Sequence, residues 1–196
     1  MNDALKYSTL IFDMDGTILD TLEDLNDSMN HALAVCGFPE RSLDETRTFV
    51  GNGLYDLAVR SVPEGTAEDD IRRVHAEMMS WYPAHSAIKT RPYEGVCGLI
   101  RECRGLGLKC GLVSNKADGA VQMLCRDFFE GLFDAAVGER EGIRRKPAPD
   151  SCFEVMKELG AVPDQTVYIG DSEGDVKTAA NAGIDCIAVT WGFRSR

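Results

Sequence analysis

Short apolar stretches alternate along the chain with segments in which apolar residues recur at helical spacing. The stretches have strand length and are rich in β-branched and aromatic residues. Strands that alternate with helices in this way predict an α/β fold with a doubly wound, mainly parallel sheet that helices cover on both faces. The predicted strands lie at residues 7–12, 109–113, 133–137, 166–169 and 186–189.

The alternation stops between the first two predicted strands for about ninety residues, far more than one crossover helix requires. Ser42 with Glu45, and Thr66 with Asp69, have the spacing of capping boxes and predict helix starts inside this interval. The interval therefore predicts a small helical bundle. Its first helix carries an apolar stripe formed by Leu22, Leu25, Met29, Leu33 and Cys36.

The length and composition of the chain fit this architecture. Its 196 residues are 44% hydrophobic and 27% charged, which is sufficient for a buried core. We expect a core domain formed by residues 1–19 and 86–196, with a helical-bundle cap domain inserted at residues 20–85.

Composition also excludes several classes of protein. The net charge of −11 argues against nucleic acid as a partner. No apolar run is long enough to cross a bilayer and the N-terminus lacks the pattern of a secretory signal, so we expect no membrane partner and a cytoplasmic location. The seven cysteines are irregularly spaced and include no Cys-x-x-Cys pair, which argues against a zinc site or a thioredoxin-like motif.

Two carboxylates follow the first predicted strand directly. Asp13 and Asp15 are two residues apart, so an extended backbone places both side chains on one side of the strand. Gly16 lets the chain turn immediately after them. Paired carboxylates serve as a hard-cation site or as a nucleophile with an acid/base partner. Aspartate is also a good helix N-cap, which is the structural alternative for these positions.

Polar residues also follow the later predicted strands. Ser114 and Asn115 follow the second strand, Lys146 lies in a proline-bounded basic segment before the fourth, and Asp171 and Asp175 come after the fourth. Parallel strands end at one edge of the sheet, where open α/β sheets bind ligands. We therefore expect these groups to meet the first two carboxylates there.

Phosphoryl transfer is the chemistry that suits such a set of groups. Magnesium prefers one or two carboxylates together with phosphate oxygens, and Asp13 and Asp171 would supply the carboxylates. Lys146 would hold the remaining phosphate oxygens, and Ser114 with its neighbouring backbone N–H would complete the cradle. Asp13 could then attack phosphorus, while Asp15 protonates the leaving oxygen and later deprotonates water.

The segments Asp13–Thr17 (Asp-Met-Asp-Gly-Thr), Ser-Asn-Lys, Lys-Pro and Gly-Asp-Ser-x-x-Asp, in this order, resemble the four motifs of the haloacid dehalogenase superfamily and its phosphatase branch. The resemblance covers essentially the whole chain. It implies a Rossmann-like core, Asp13 as nucleophile and Asp15 as acid/base. It also implies a magnesium site formed by Asp13, the backbone carbonyl of Asp15 and Asp171, with support from Asp175.

The resemblance extends to the predicted helical bundle, which is similar to the family's cap and would select substrates. Val50–Gly53 and Trp191–Arg194 are similar to segments of phosphoglycolate phosphatases. They imply 2-phosphoglycolate as the leading substrate, with Gly16, Thr17 and Asn52 added to the phosphate- and substrate-binding set. The family commonly continues with a further strand and helix beyond the position of Arg196.

Several alternatives stay open at this stage. Pyrophosphatase and β-phosphoglucomutase-like activities are alternatives within the same class, although sugar-phosphate mutases usually carry Val where this chain has Thr17. A receiver-type phosphoaccepting domain uses a similar sheet but carries its acceptor Asp on a later strand. For Lys116, Arg144 and Arg145, exposure to solvent is at least as reasonable an interpretation as a role in the site. His75 lies on an apolar helical stripe, which favours a core position. The loop Gly51-Asn52-Gly53 is either a helix-breaking turn or a loop that reaches the substrate.

Overall fold

A computed structural model describes residues 5–194. The elements in chain order are β1 (Thr9–Asp13), β2 (Leu19–Asp20), α1 (Leu22–Cys36), α2 (Leu43–Phe49), α3 (Leu54–Ser61), α4 (Glu68–His85), β3 (Arg91–Pro92), α5 (Val96–Gly105), β4 (Lys109–Ala117), α6 (Asp118–Phe129), β5 (Ala135–Glu139), α7 (Asp150–Leu159), β6 (Thr166–Gly170), α8 (Glu173–Ala182) and β7 (Asp185–Ala188). No helix within 5–194 is both long enough and apolar enough to cross a bilayer.

The main sheet has the strand order β5-β4-β1-β6-β7, and every neighbouring pair is parallel. The central strand β1 alternates its side chains between two cores. Phe12 packs on one face of the sheet with Val121 of α6, while Ile11 packs on the other with Val155 of α7. Helices therefore cover both faces, and the predicted α/β fold with a parallel sheet is confirmed.

The predicted strand limits are close to those observed but not identical. The third predicted strand lies two residues later, as β5, and the second extends beyond residue 113 to Ala117. The register between β4 and β5 shifts between Val113 and Ala117, so this longer strand is irregular where Ser114 lies. That irregularity falls at the sheet edge where ligands bind in such folds.

Helices α1 to α4 form a separate bundle with its own apolar core, which we call the helical insertion. The antiparallel strands β2 and β3 pair at its base and join it to the sheet domain. The predicted capping box of Ser42 and Glu45 is present at the start of α2. The predicted box at Thr66 is wrong: Ala67 is the N-cap of α4, because the Thr66 hydroxyl donates locally to the carbonyl of Pro63.

Candidate active site

The ends of three neighbouring strands converge beneath the helical insertion, as parallel topology requires. Asp13 ends β1, Ser114 lies in β4, and Asp171 directly follows β6. Lys146 reaches the same point from the segment between β5 and α7. Together with Asp15 and Asn115 they line a cavity of about 750 Å³ whose other wall consists largely of apolar side chains of the insertion.

Lys146 lies at the centre of the charged groups. Its Nζ is 2.6 Å from Asp13 Oδ1 and 2.7 Å from Asp175 Oδ1, and its side chain is only 7% exposed. Burial alone would lower the pKa of Lys146, but the two carboxylates outweigh it and raise the pKa above its ordinary value. Lys146 is therefore a fixed positive charge in the site.

The carboxylates around Lys146 form a compact group. Oxygens of Asp13, Asp171 and Asp175 all lie within 4.8 Å of one another. Burial and the charge of Asp175 raise the pKa of Asp13 well above its ordinary value, although Lys146 opposes this effect. Burial likewise raises the pKa of Asp171. Three acids facing one ammonium leave an excess of negative charge, and an all-oxygen donor set of this kind fits a hard divalent cation.

Asp175 differs from the other two acids because both of its oxygens are already bonded. Oδ1 accepts from Lys146 and from the Tyr168 hydroxyl, and Oδ2 accepts from the backbone N–H and the hydroxyl of Ser172. Burial raises the pKa of Asp175, but these donors outweigh it and the pKa lies below its ordinary value. Asp175 holds Lys146 and the start of α8 in place, so it supports the acid cluster from beneath.

Asp171 is held by groups from distant parts of the chain. Its Oδ1 accepts from the Thr17 hydroxyl at 3.3 Å, and its Oδ2 accepts from the backbone N–H of Phe193 at 2.7 Å. Gly16 has φ +84°, and a Cβ there would lie 2.5 Å from Asp171 Oδ2, so only glycine fits. Gly16 and Thr17, predicted to bind phosphate, pack around Asp171, and their contact with phosphate stays a prediction.

The side chains of Ser114 and Asn115 are both held by backbone groups, but to different extents. The Ser114 hydroxyl oxygen accepts from the backbone N–H of Lys116 at 3.1 Å, which leaves its O–H free to donate into the cavity. The Asn115 side chain accepts from the backbone N–H of Lys146 and donates to its carbonyl. Ser114 is thus placed as a donor to an anion, whereas Asn115 orients the segment that carries the lysine.

Asp15 lies beside the acid cluster but outside it. Its Oδ1 accepts from the Thr21 hydroxyl at 2.8 Å and lies 3.3 Å from the Lys116 ammonium. Within residues 5–194, neither a hydrogen bond nor an ion pair engages Oδ2. Asp15 lines the cavity, so Oδ2 is free to contact a bound group, and the metal contact that the resemblance implies concerns only its backbone carbonyl.

The glycine loop of the insertion contacts the sheet domain through its backbone. Three successive carbonyls, those of Val50, Gly51 and Asn52, accept from Arg194, Asn115 and Arg145 respectively. Gly51 and Gly53 line the cavity, whereas the Asn52 side chain is exposed and lies outside the lining. These contacts favour the interpretation in which the loop reaches the site. It does so with its backbone facing inwards.

The structure decides the positions of Lys116 and Arg144, which the sequence left open, and places His75 differently from its predicted core position. Lys116 is buried, with its side chain 6% exposed, because it pairs with Asp15 and bonds the Tyr82 hydroxyl. His75 is half-buried and lines the cavity instead of lying in the core. Arg144 is exposed and pairs with Asp150, as expected for a solvated arginine. The sequence signal that indicated a role for Lys116 in the site is its position directly after Ser114 and Asn115.

The chain is similar to known proteins over most of its length. The sequence profile of a family described as haloacid dehalogenase-like hydrolase matches residues 10–189. Phosphoglycolate phosphatase of Pseudomonas putida is 32% identical over an alignment of 194 residues, and the match covers 94% of this chain and 70% of that protein. Phosphoglycolate phosphatase of Cereibacter sphaeroides is 34% identical over 189 residues, with 94% and 86% covered.

A solved structure is similar over nearly the whole chain. The crystal structure of a candidate phosphoglycolate phosphatase from Lactobacillus delbrueckii subsp. bulgaricus has a TM-score of 0.94 at 40% identity, and the match covers 97% of this chain and 89% of that one. The resemblance inferred from the four motifs is confirmed. The chain belongs to the haloacid dehalogenase-like hydrolase family.

Proposed function

We propose that this chain is a magnesium-dependent phosphomonoester hydrolase that acts on a small phosphorylated metabolite through an aspartyl-phosphate on Asp13. The carboxylates grouped around the Lys146 ammonium, two of them buried and that of Asp171 partly buried, carry this proposal, together with the cavity that Asp15 also lines. The names of the relatives, at 32% and 34% identity, make 2-phosphoglycolate the leading candidate substrate.

Asp13 and Asp171 would hold the metal, and their oxygen donors fit Mg²⁺. When bound, the ion would neutralise charge on the phosphoryl oxygens and offset the repulsion between the acids. Lys146 and the hydroxyl of Ser114 would bind further phosphoryl oxygens. Lys146 and Ser114 line the same end of the cavity as Asp13. The phosphate of a substrate would therefore be held against the nucleophile.

Asp13 Oδ1 is bonded to Lys146, which leaves Oδ2 to form a bond to phosphorus. As that bond forms, the bond from phosphorus to the ester oxygen breaks, and Asp15 gives its proton to the departing alkoxide. Asp15 then takes a proton from water, whose oxygen attacks the phosphorus of the aspartyl-phosphate. Inorganic phosphate leaves and Asp13 is regenerated as a carboxylate.

We also propose that the helical insertion, residues 20–85, acts as a cap on a core formed by residues 1–19 and 86–196. The cavity lies between the two, and the glycine loop contacts the core through three backbone carbonyls. A substrate bound at Asp13 would therefore extend towards side chains of the insertion, which would determine the preferred organic group.

A phosphate-release screen over phosphorylated metabolites, with magnesium and with a chelator, tests the proposal. We expect release that requires magnesium in the wild type and none from Asp13→Asn. Asp127→Asn, on the exposed surface of α6, is the matched control and should retain full activity. Metal-independent release, or full activity of Asp13→Asn, would contradict the proposal. Return of phosphate to a sugar in place of release would identify a mutase.

A further inference from the structure

Tyr82 and Lys116 form a buried contact between the helical insertion and the sheet domain. Tyr82 lies on α4 and is 4% exposed, while Lys116 lies near the end of β4. The Lys116 Nζ is 2.7 Å from the Tyr82 hydroxyl oxygen and 4.9 Å from the centre of its ring. An ammonium costs free energy to bury unless partners compensate, so these partners fix its position.

The same ammonium fixes one end of the Asp15 carboxylate. Lys116 and the fully buried Thr21 both approach Oδ1, at 3.3 and 2.8 Å, and Thr21 lies at the start of the insertion. Two donors on one oxygen set the rotation of the carboxylate, so the direction of Oδ2 is set as well. A general acid must be oriented towards the proton acceptor before it is effective.

We infer that Lys116 and Tyr82 are positioning residues that orient the Asp15 carboxylate only while α4 is seated against β4. The inference rests on the proposed role of Asp15 as acid and base. Without the Tyr82 hydroxyl, Lys116 loses a partner that comes from the insertion. Asp15 would then lose its coupling to the position of α4, even with Asp13, Lys146 and Asp171 unchanged.

The test compares esters that differ in their need for an acid. An alkyl phosphate requires a proton on its departing oxygen, whereas 4-nitrophenolate leaves without one. The value of kcat/KM is the appropriate measure because it reports transfer to Asp13 and not the later hydrolysis. For Tyr82→Phe and Lys116→Met, we expect kcat/KM to fall by about 10- to 100-fold on the alkyl ester and by less than about threefold on the aryl ester.

Tyr55→Phe is the matched control, because its hydroxyl donates to Glu68, at the opposite end of α4 from Tyr82. It should leave both esters unaffected. The double variant should lose no more than Lys116→Met alone if the two residues act as one unit. Unfolding curves for each variant separate loss of fold from loss of orientation, and Tyr82→Phe keeps the ring that packs in the bundle.

Equal losses on both esters, or no loss on the alkyl ester, would overturn the inference while leaving the proposed function intact. A comparable loss in Tyr55→Phe would overturn it in the same way, since that hydroxyl does not contact Asp15 or Lys116. A wild-type protein that hydrolyses neither ester nor any metabolite in the screen would instead refute the proposed function, and the inference with it.

Discussion

Asn115 bonds both backbone groups of Lys146 with the two ends of its side-chain amide. Its Oδ1 accepts from the Lys146 N–H at 2.8 Å, and its Nδ2 donates to the Lys146 carbonyl at 3.3 Å. The lysine ammonium in turn contacts Asp13. The residue after the motif serine thus determines where the positive charge of the site lies.

Asn115→Ala should lower kcat/KM for phosphate release about 10- to 100-fold, because a displacement of about 1 Å in a catalytic group has effects of that size. Steady-state kinetics measure the loss. The matched control is Asn30→Ala, since Asn30 pairs with both backbone groups of Arg41 inside the insertion. That variant should lose stability without a comparable loss of rate, and similar kinetics for the two variants would contradict the role of Asn115.

Removal of the Asp171 carboxylate should weaken magnesium binding. We expect Asp171→Asn to raise the magnesium concentration for half-maximal activity at least about tenfold. Calorimetric titration of the metal provides a readout without substrate. Asp134→Asn is the control, because Asp134 lies at the opposite edge of the sheet and bonds the backbone N–H of Cys110. A metal titration of Asp171→Asn that matches the wild type would remove Asp171 from the metal site.

Alanine variants at two glycines of the insertion distinguish the effect of backbone strain from the effect of contact with the core. Gly53 and Gly65 have φ of +85° and +84°, but only at Gly53 would a Cβ meet a neighbour, Arg145 Nη1 at 3.0 Å. Alanine at either position should lower the free energy of unfolding by about 1–3 kcal/mol. Only Gly53→Ala should also raise KM severalfold, because it displaces the loop that lines the cavity.

Denaturant unfolding and steady-state kinetics on both glycine variants check this expectation. An unchanged KM in Gly53→Ala would indicate that the loop does not affect substrate binding. An equal rise of KM in Gly65→Ala would trace the effect to strain in the insertion as a whole.

The decrease in the free energy of unfolding at acid pH should depend in part on Asp134. Partial burial raises the pKa of this group, but Arg104, at 2.7 Å, and the Cys110 amide outweigh it, so the pKa lies below the ordinary 3.8. At pH values between the pKa of Asp134 in the folded protein and its ordinary pKa, the unfolded chain binds more protons than the folded protein. The ion pair therefore stabilises the protein above the ordinary pKa, and this stabilisation is lost as the pH falls through the pKa of the folded protein.

Asp134→Asn should therefore lower the free energy of unfolding by about 1 kcal/mol near neutral pH, a value that allows for the partial exposure of the pair. The difference from the wild type should shrink as the pH falls below about 4. Urea unfolding at both pH values measures it. A difference that stays constant or grows towards acid would contradict the assignment of the ion pair.

The sequence was sufficient to place Asp13, Ser114, Lys146 and Asp171 together, because parallel strands collect their carboxyl ends at one edge whatever the details of packing. It was not sufficient for Lys116. Its partner Tyr82 is 34 residues away on the insertion, and no periodicity distinguishes a buried lysine after a strand from a solvated one.

Local signals were also ambiguous where several residues compete for one role. Ser42 caps α2 as its spacing predicts, whereas Thr66 turns its hydroxyl to a preceding carbonyl and leaves α4 to begin after Ala67. The exposure of Asn52 could not be predicted from the sequence either, because a glycine on each side permits either the side chain or the backbone to face inwards.

The covalent role of Asp13 is the central claim, and rapid acid quench tests it most directly. The protein is mixed with magnesium and a phosphomonoester carrying labelled phosphate, quenched within the first turnover, digested and mapped. We predict label on the peptide that contains Asp13, and none in Asp13→Asn. Steady release of phosphate with no label on the wild-type protein at any time, or label on another residue, would contradict the account.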